Sequence, residues 1–358
     1  MPQPDRNYME TAQQQRGVTV LICTYNSAAR IKETLQTLAR QKVDPVMFSV
    51  EVLLVDNAST DTTSQVAAAE FEALNFPFPY QLLYEGRSGK SNALDLGFAT
   101  ARFEYVCIVD DDNWLEENYL ALAWDVLEAD KQIGALGGIG RPVCEITPPA
   151  WFSEFAVIYA ADKQADKQGD ITRHPSYVYG AGCVVRKEAW QTIHRAGFKS
   201  MLMGRHGDKL TSGEDNEMCY AFVLAGYKIW YDERLRFQHF IPAQRLTWNY
   251  VERIFAGNAE SEAALRPYLD YIRAMQGDSA GNKPLIWLRN AKFSLQYAFV
   301  ALSKMLKNNE RFREGESSAI RTSFYWQQFK ALVKKEISGD NSYQLIEAFI
   351  ARLHKLEK

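Results

Sequence analysis

Four short, largely apolar runs, each closed by polar residues, limit what this chain can fold into more than any other feature. Val18-Thr-Val-Leu-Ile-Cys23 runs into Thr24-Tyr25-Asn26-Ser27, and Val50-Glu-Val-Leu-Leu-Val55 stops at Asp56-Asn57. Residues 80–84 lead into Glu85-Gly86, and Tyr105-Val-Cys-Ile-Val109 stops at Asp110-Asp111-Asp112. The first two read as strands buried on both faces, the third as a short strand and the fourth as another strand. Helical spacing fills the gaps. Thr24 to Ser27 offers N-cap chemistry, after which Ile31, Leu35 and Leu38 recur at helical spacing. A second helix is expected from near Ser59-Thr60-Asp61. Another is expected over 115–127, with Tyr119, Leu120, Ala123 and Leu127 on one face. This β-α-β-α-β-α-β alternation requires a parallel sheet with right-handed crossovers. Ligands of such sheets bind beyond the carboxyl ends of the strands, so three strands aim polar residues at one crevice.

After residue 130 the alternation loosens. Residues 133–143, 177–185 and 228–232 read as strands, and 212–225 as a helix stopped by Gly226. Beyond about residue 265 the chain turns helical, aromatic and locally basic, with Lys283, Arg289, Lys292, Lys304, Lys307, Arg311 and Arg313 among apolar residues. Three parts are expected: a flexible leader over 1–16, an α/β domain over 17–265, and a C-terminal helical region over 266–358. The net charge of −3 gives no argument for nucleic acid. The five cysteines, Cys23, Cys107, Cys144, Cys183 and Cys219, lie far apart. That spacing speaks against a disulfide framework or structural zinc and suits a reducing cytoplasm. The first residues are polar with no apolar signal core, and no run of about 18 uncharged apolar residues exists, so no membrane span is expected.

Glu85-Gly-Arg-Ser-Gly-Lys-Ser-Asn-Ala93 contains a Gly-Lys-Ser turn. A phosphate-binding P-loop needs a glycine five positions before Gly89, where this chain has Tyr84. Asp110 and Asp112 are two apart at a strand end and face one way. Carboxylates gathered there repel unless a cation such as Mg²⁺ or Mn²⁺ joins them and shares a diphosphate. The plainer reading is a solvated turn; the buried strand leading in favours the metal. Asp56 reads equally as a base or sugar contact and as a cap for the next helix. In Ser212-Gly213-Glu214-Asp215, acids in a first helical turn are favoured by the dipole. One of them held at the crevice can also take a proton from an attacking hydroxyl. His239 reads as a metal ligand, a diphosphate donor or a core histidine, the last being the commonest fate. His206 reads as exposed.

Taken in order, Cys23-Thr24-Tyr25-Asn26, Val55-Asp56-Asn57-Ala58-Ser59-Thr60-Asp61, Gly89-Lys90-Ser91-Asn92-Ala93, Asp110-Asp111-Asp112 and Gly213-Glu214-Asp215 resemble glycosyltransferase family 2 over roughly residues 17–245. These are inverting enzymes of GT-A fold. The resemblance implies an α/β fold: a Rossmann-like, mostly parallel sheet flanked by helices, here with a C-terminal helical extension. It implies that Thr24, Tyr25 and Asp56 form a nucleotide-base pocket, with Asn26 alongside. Asp110 and Asp112 match the Asp-x-Asp pair that meets ribose and metal-diphosphate. Asp111 competes with Asp112 for the metal, and spacing favours Asp112, with His239 as a second ligand. Lys90 and Asn92 are implied near the diphosphate, and Gly182 near the donor sugar. Asp215 matches the catalytic base, with Glu214 beside it. The cofactor implied is Mn²⁺ or Mg²⁺ and the donor a UDP-sugar. The acceptor is a saccharide or lipid-linked hydroxyl, for which Trp151, Arg205 and Arg245 are candidates, although Trp151 reads equally as packing. Gln244-Arg245 is followed by leucine, unlike the Gln-x-x-Arg-Trp of processive members, which favours single-sugar transfer in surface polysaccharide or glycolipid synthesis.

Basic residues among Trp287, Phe293, Tyr297 and Phe299 suit either a membrane-surface helix or a packed cap or dimer interface, the latter being commoner. A cytoplasmic protein, peripheral at the inner face of the membrane, is the expectation. Three other classes compete. A nucleotidyltransferase needs a glycine-rich basic loop after the first strand. A Rossmann oxidoreductase needs Gly-x-Gly-x-x-Gly there. A non-catalytic nucleotide-sugar-binding scaffold is expected to have lost its acids.

Overall fold

A computed structural model describes residues 15–202, 212–277, 286–307, 314–339 and 341–356. Strands β1 (Gln15–Thr24), β2 (Ser49–Asp56), β3 (Tyr80–Tyr84) and β4 (Phe103–Asp110) run parallel in the spatial order β3-β2-β1-β4. Helices α1 (Ile31–Ala39), α2 (Thr63–Ala73) and α3 (Lys90–Thr100) make the crossovers. A core on each face of the sheet explains the apolar runs of β1, β2 and β4, while β3 is an exposed edge strand. Val18, Val20 and Ile22 enter one hydrophobic cluster and Leu21 the other, all without solvent exposure. Gly97 lets α3 lie directly on β1, since a Cβ there would sit 2.2 Å from the Leu21 side chain. Register pairs Thr24 with Asp56, Cys23 with Asp110, and Asp56 with Tyr84, so the polar strand ends share one edge.

The second half adds β5 (Asn113–Leu115), α4 (Tyr119–Ala129), β6 (Ile133–Cys144), a 3-10 turn (Phe152–Tyr159), β7 (Gly169–Asp170), β8 (Val184–Arg186), α5 (Lys187–Arg195), α6 (Glu214–Leu224) and β9 (Lys228–Ile241). The sheet continues β4-β8-β6-β9-β5, with β8 antiparallel to both neighbours and β5 and β7 antiparallel to β9.

Four boundaries differ from expectation. Gln15 and Arg16 begin β1 instead of closing a leader. The strand expected over 177–185 shrinks to Val184–Arg186, because Gly182 takes a left-handed φ of 69° and breaks the extended path. The helix expected from 115 begins at Tyr119, since Asn113–Leu115 pairs with β9. The strand expected over 228–232 continues to Ile241 and takes in His239.

Helices α7 (Trp248–Met275), α8 (Ile286–Lys307), α9 (Ser317–Ile337) and α10 (Ser342–Leu356) follow. Helix α7 crosses the expected 265/266 boundary unbroken. Buried Asp270 of α7 ties three helices together, accepting hydrogen bonds from Asn290 Nδ2 (3.1 Å) and Arg289 Nη2 (3.4 Å) of α8 and from Tyr343 Oη (2.7 Å) of α10. Arg352 of α10 donates from Nε to the Ala196 carbonyl at 2.6 Å, closing the helices onto the α/β body. All five cysteines are free. Among the described residues no helix is long and apolar enough to cross a membrane.

Candidate active site

A cavity of about 1510 Å³ opens at the carboxyl edge of β1 and β4. The Gly-Lys-Ser turn forms one wall. Asn57, just past β2, holds it by accepting from the Gly89 N–H (2.8 Å) and donating to the Arg87 carbonyl (2.7 Å). The next residue, Lys90, is thereby set against Asp110, with which it forms an ion pair. Burial alone would lower the Lys90 ammonium, but Asp110, with help from Glu214, outweighs it and raises it above the usual lysine range. The ammonium is therefore a fixed positive charge at the cavity wall, with 36 % of the side chain still open.

The three consecutive aspartates diverge, as alternation at a strand end requires. Asp111 also lines the cavity, but its carboxylate is engaged there, accepting from Thr24 Oγ1 (3.0 Å), Ser27 Oγ and Arg30 Nη2 (3.1 Å). Burial pushes that carboxyl up. Asp112 is 5 % exposed and faces His239 Nε2 (3.4 Å) and Arg245 Nη1 (3.2 Å). Burial alone would raise the Asp112 carboxyl, but these two partners hold it well below the usual range. The antiparallel pairing of β5 with β9 sets Asn113 opposite His239, and the Phe240 N–H donates to the Asp112 carbonyl at 2.9 Å. His239 Nδ1 lies 2.5 Å from the Tyr159 carbonyl, which assigns the proton to that nitrogen and turns Nε2 toward Asp112.

Asp112 and His239 thus stand side by side, and a cation taking the place of the proton on Nε2 would find a carboxylate oxygen and an imidazole nitrogen together. That donor pair fits a divalent ion whose other ligands come from a diphosphate. Among the described residues no group of three or more His, Cys, Asp or Glu could hold a metal, so protein ligands alone do not close a site.

Asp215 stands at the start of α6. Its carboxylate accepts from the Gly180 N–H (2.7 Å) and from the Asn216 N–H (3.0 Å). Burial pushes the Asp215 carboxyl up, against the pull of these N–H groups and Lys90. An upward-shifted carboxylate in a cavity is suited to accepting a proton from a hydroxyl. Glu214 lines the same cavity.

Other sequence candidates are used differently. Tyr25 is 54 % exposed at the cavity mouth, an open ring face. The Thr24 hydroxyl is engaged by Asp111. Asn26 takes a φ of 49° and accepts from the Thr60 N–H (2.8 Å), so its side chain builds a turn. Asp56 is buried and accepts from the Ser59 N–H (2.9 Å) and from Ser64 Oγ, so it fixes the turn before α2 without capping that helix, whose N-cap is Thr62. Asn92 lines the cavity and donates to the Ser88 carbonyl (3.1 Å). The Gly182 carbonyl accepts from Tyr119 Oη at 2.6 Å.

Trp151 is a correction: it is 9 % exposed, packs edge-on against Phe155 and Trp248, and donates from its indole N–H to Glu314 (2.7 Å). It is core and offers no face to a sugar. Arg245 is likewise engaged by Asp112 rather than standing among acceptor contacts. Arg205, with the rest of 203–211, lies outside the described residues. Sequence reasoning missed Asn57, Arg30 and Tyr159. Only Asn57, adjacent to Asp56 at a strand end, carried a local signal.

Residues 19–193 match the family model described as Glycosyl transferase family 2. A putative glycosyltransferase EpsH of Bacillus subtilis (strain 168) is 26% identical over 103 residues, covering 29% of this chain and 28% of that protein. A poly-beta-1,6-N-acetyl-D-glucosamine synthase of Staphylococcus aureus (strain COL) is 28% identical over 138 residues, covering 38% of this chain and 31% of that protein. The matches thus span less than a third of these curated relatives. Among solved structures, the mannosyltransferase PcManGT from Pyrobaculum calidifontis, in complex with GDP-Man and Mn²⁺, aligns with a TM-score of 0.52 at 19% identity, over 91% of this chain and 88% of that one. At that identity the likeness is one of fold, and it agrees with the expected GT-A architecture of a central sheet flanked by helices with helices appended at the C-terminus. The family match is confined to residues 19–193, so α6 to α10 lie beyond it.

Proposed function

We propose that this chain is an inverting, non-processive glycosyltransferase. It moves one hexosyl unit from a UDP-sugar to a hydroxyl of a saccharide or lipid-linked acceptor, in surface polysaccharide or glycolipid synthesis. One observation carries the reading: Lys90 with Asp110, Asp112 with His239, and Asp215 all face a single cavity. The bond from sugar to diphosphate breaks through an oxocarbenium-like state, as in glycosidases. Negative charge grows on the departing diphosphate, and Lys90 stands ready as a fixed cation to meet it. Asp112 and His239 would hold a divalent ion, Mn²⁺ or Mg²⁺, which would supply further positive charge at that leaving group. Asp215 accepts the acceptor's proton on the opposite face, which gives inversion. The Gly180 N–H holds one Asp215 oxygen in place for this role. Tyr25 offers its exposed ring to the base.

The scaffold alternative is disfavoured because Asp110, Asp112, Glu214 and Asp215 are all retained at the cavity. The test is nucleotide release across a panel of UDP- and GDP-sugars, with and without Mn²⁺, beside Asp112→Ala. One donor turned over only with metal and only by the wild type is the expected result. Failure to bind any nucleotide overturns the reading.

We also infer that α8 rests on an anionic membrane surface at the cytoplasmic face. Its polarity is inverted. It buries Ala291, Ser294, Ala298 and Ala301 and exposes Leu288, Phe293, Tyr297, Phe299, Val300 and Leu306. Its 22 residues include no acid, while Lys292 and Lys304 are exposed, in a chain of net charge −3. An apolar face edged by lysines suits anionic headgroups better than a second copy of itself, where like charges would meet. Flotation with phosphatidylglycerol vesicles, lost in phosphatidylcholine and in a Lys292→Glu/Lys304→Glu variant, is expected. Equal flotation of the variant, or a stable dimer by light scattering with no vesicle binding, overturns it.

A further inference from the structure

The cavity does not end at Asp215. It continues past Tyr177 to a wall built by α7 and α9, both outside residues 19–193. Asp215, Tyr177, Glu262, Arg321 and Tyr325 all line this one cavity.

The chemistry of this wall differs from that of the strand edge. Glu262 projects into the cavity, steadied by a hydrogen bond from Gln328 Nε2 to its Oε2 at 2.9 Å. Ser261 is 4 % exposed, lines the cavity, and its hydroxyl has no partner among the described residues. A buried hydroxyl left unpaired is unfavourable, and in a cavity wall it marks a place where a ligand's polar atom completes the pairing. Phe324 and Tyr325 supply aromatic surface beside these groups. A sugar ring has apolar C–H faces for aromatic surface and hydroxyls for a carboxylate and a serine. Two carboxyl side chains, Glu262 and Glu214, line this space with one cation of α9, Arg321, so a phosphorylated sugar is the competing occupant that the test must exclude.

We propose that the α7–α9 wall is the acceptor subsite, binding a neutral, hydroxyl-rich saccharide ring through Glu262 and Ser261 and stacking it on Phe324 and Tyr325. The ring is held so that one hydroxyl reaches Asp215. This rests on the glycosyltransferase reading above, and the test separates the two.

The full chain is titrated with UDP and, separately, with GDP, each with Mg²⁺, by calorimetry. The protein loaded with the nucleotide it binds is then probed by saturation-transfer NMR with chitotriose, maltotriose, mannotriose and glucose 6-phosphate. At least one neutral trisaccharide is expected to bind. Glu262→Gln and Tyr325→Ala should each weaken it tenfold or more, Ser261→Ala a few-fold, and Tyr325→Phe little, with nucleotide affinity within twofold throughout. Neutral saccharides failing to bind while the nucleotide binds, binding unchanged in the variants, or binding of the phosphorylated sugar alone overturns the subsite. If the wild type binds neither UDP nor GDP, the glycosyltransferase reading on which it rests is overturned instead.

Discussion

The edge formed by β1 and β4 and the wall formed by α7 and α9 face one cavity but are built by different physics. At the edge every acid already has a partner: Lys90 for Asp110, Arg30 for Asp111, His239 and Arg245 for Asp112. Charges are held in place before any ligand arrives, which suits stabilising charge that develops during reaction. At the wall, polar groups are sparse and set among aromatic residues, and one buried hydroxyl stays unpaired. That arrangement suits recognition of a neutral ring by shape and a few hydrogen bonds. If the edge is the donor end and the wall the acceptor end, as proposed, the two can be altered separately, and the following variants test how separate they are.

The largest effect is expected from Asp215→Asn, which should lower transfer by about 10²- to 10⁴-fold, the usual worth of a general base, with nucleotide affinity nearly unchanged by calorimetry. Full activity in that variant would remove Asp215 from the mechanism. Asp112→Ala should abolish the Mn²⁺ dependence of nucleotide binding. It also leaves Arg245 without its carboxylate, so melting should be checked alongside.

Lys90→Met is expected to weaken UDP-sugar binding by about tenfold, equivalent to about 1.4 kcal/mol, without changing the acceptor KM. A matching rise in acceptor KM would show that edge and wall are coupled. The pH profile sharpens the same point. Asp215 must be ionised to accept a proton, so kcat/KM should fall as pH drops through its raised pKa. The stability consequence has the opposite sense. A carboxyl raised in the folded state stabilises folding when protonated, and that contribution is lost as pH rises through the folded value. Asp215→Asn should therefore melt above the wild type at neutral pH, by calorimetry. The smallest effect is expected from Trp151→Phe. It removes the hydrogen bond to Glu314 and should cost about 1 kcal/mol of stability by denaturant titration, with acceptor KM unchanged. A large KM change there would return Trp151 to the acceptor side.

The parallel half was legible because each strand carries its own signal. Apolar residues alternate between two cores, and a polar residue ends each run where the sheet ends. The second half was less so. Residues 177–183 are apolar and aromatic like a strand, yet Gly182 turns them toward the cavity. Asp56 and Asn26 stand where nucleotide contacts were expected, but their side chains bond to the turns beside them, a competition that short polar side chains often win. Trp151 could not be separated from a stacking residue, because burial is a property of its neighbours.

By itself the sequence determined the parallel β-α order, the shared edge on which Asp110, Asp112 and Lys90 fall, and the acid-rich start of α6 carrying Asp215. These follow from local periodicity and from the rule that polar strand ends meet at one edge. Only the tertiary structure decided that Asp111 faces Arg30 while Asp112 faces His239, since that depends on β5 pairing with β9 across more than a hundred residues. It also decided that α7 and α9 complete the cavity. A helix shows in sequence which of its residues are polar, but what it faces is set by packing against elements far away in the chain.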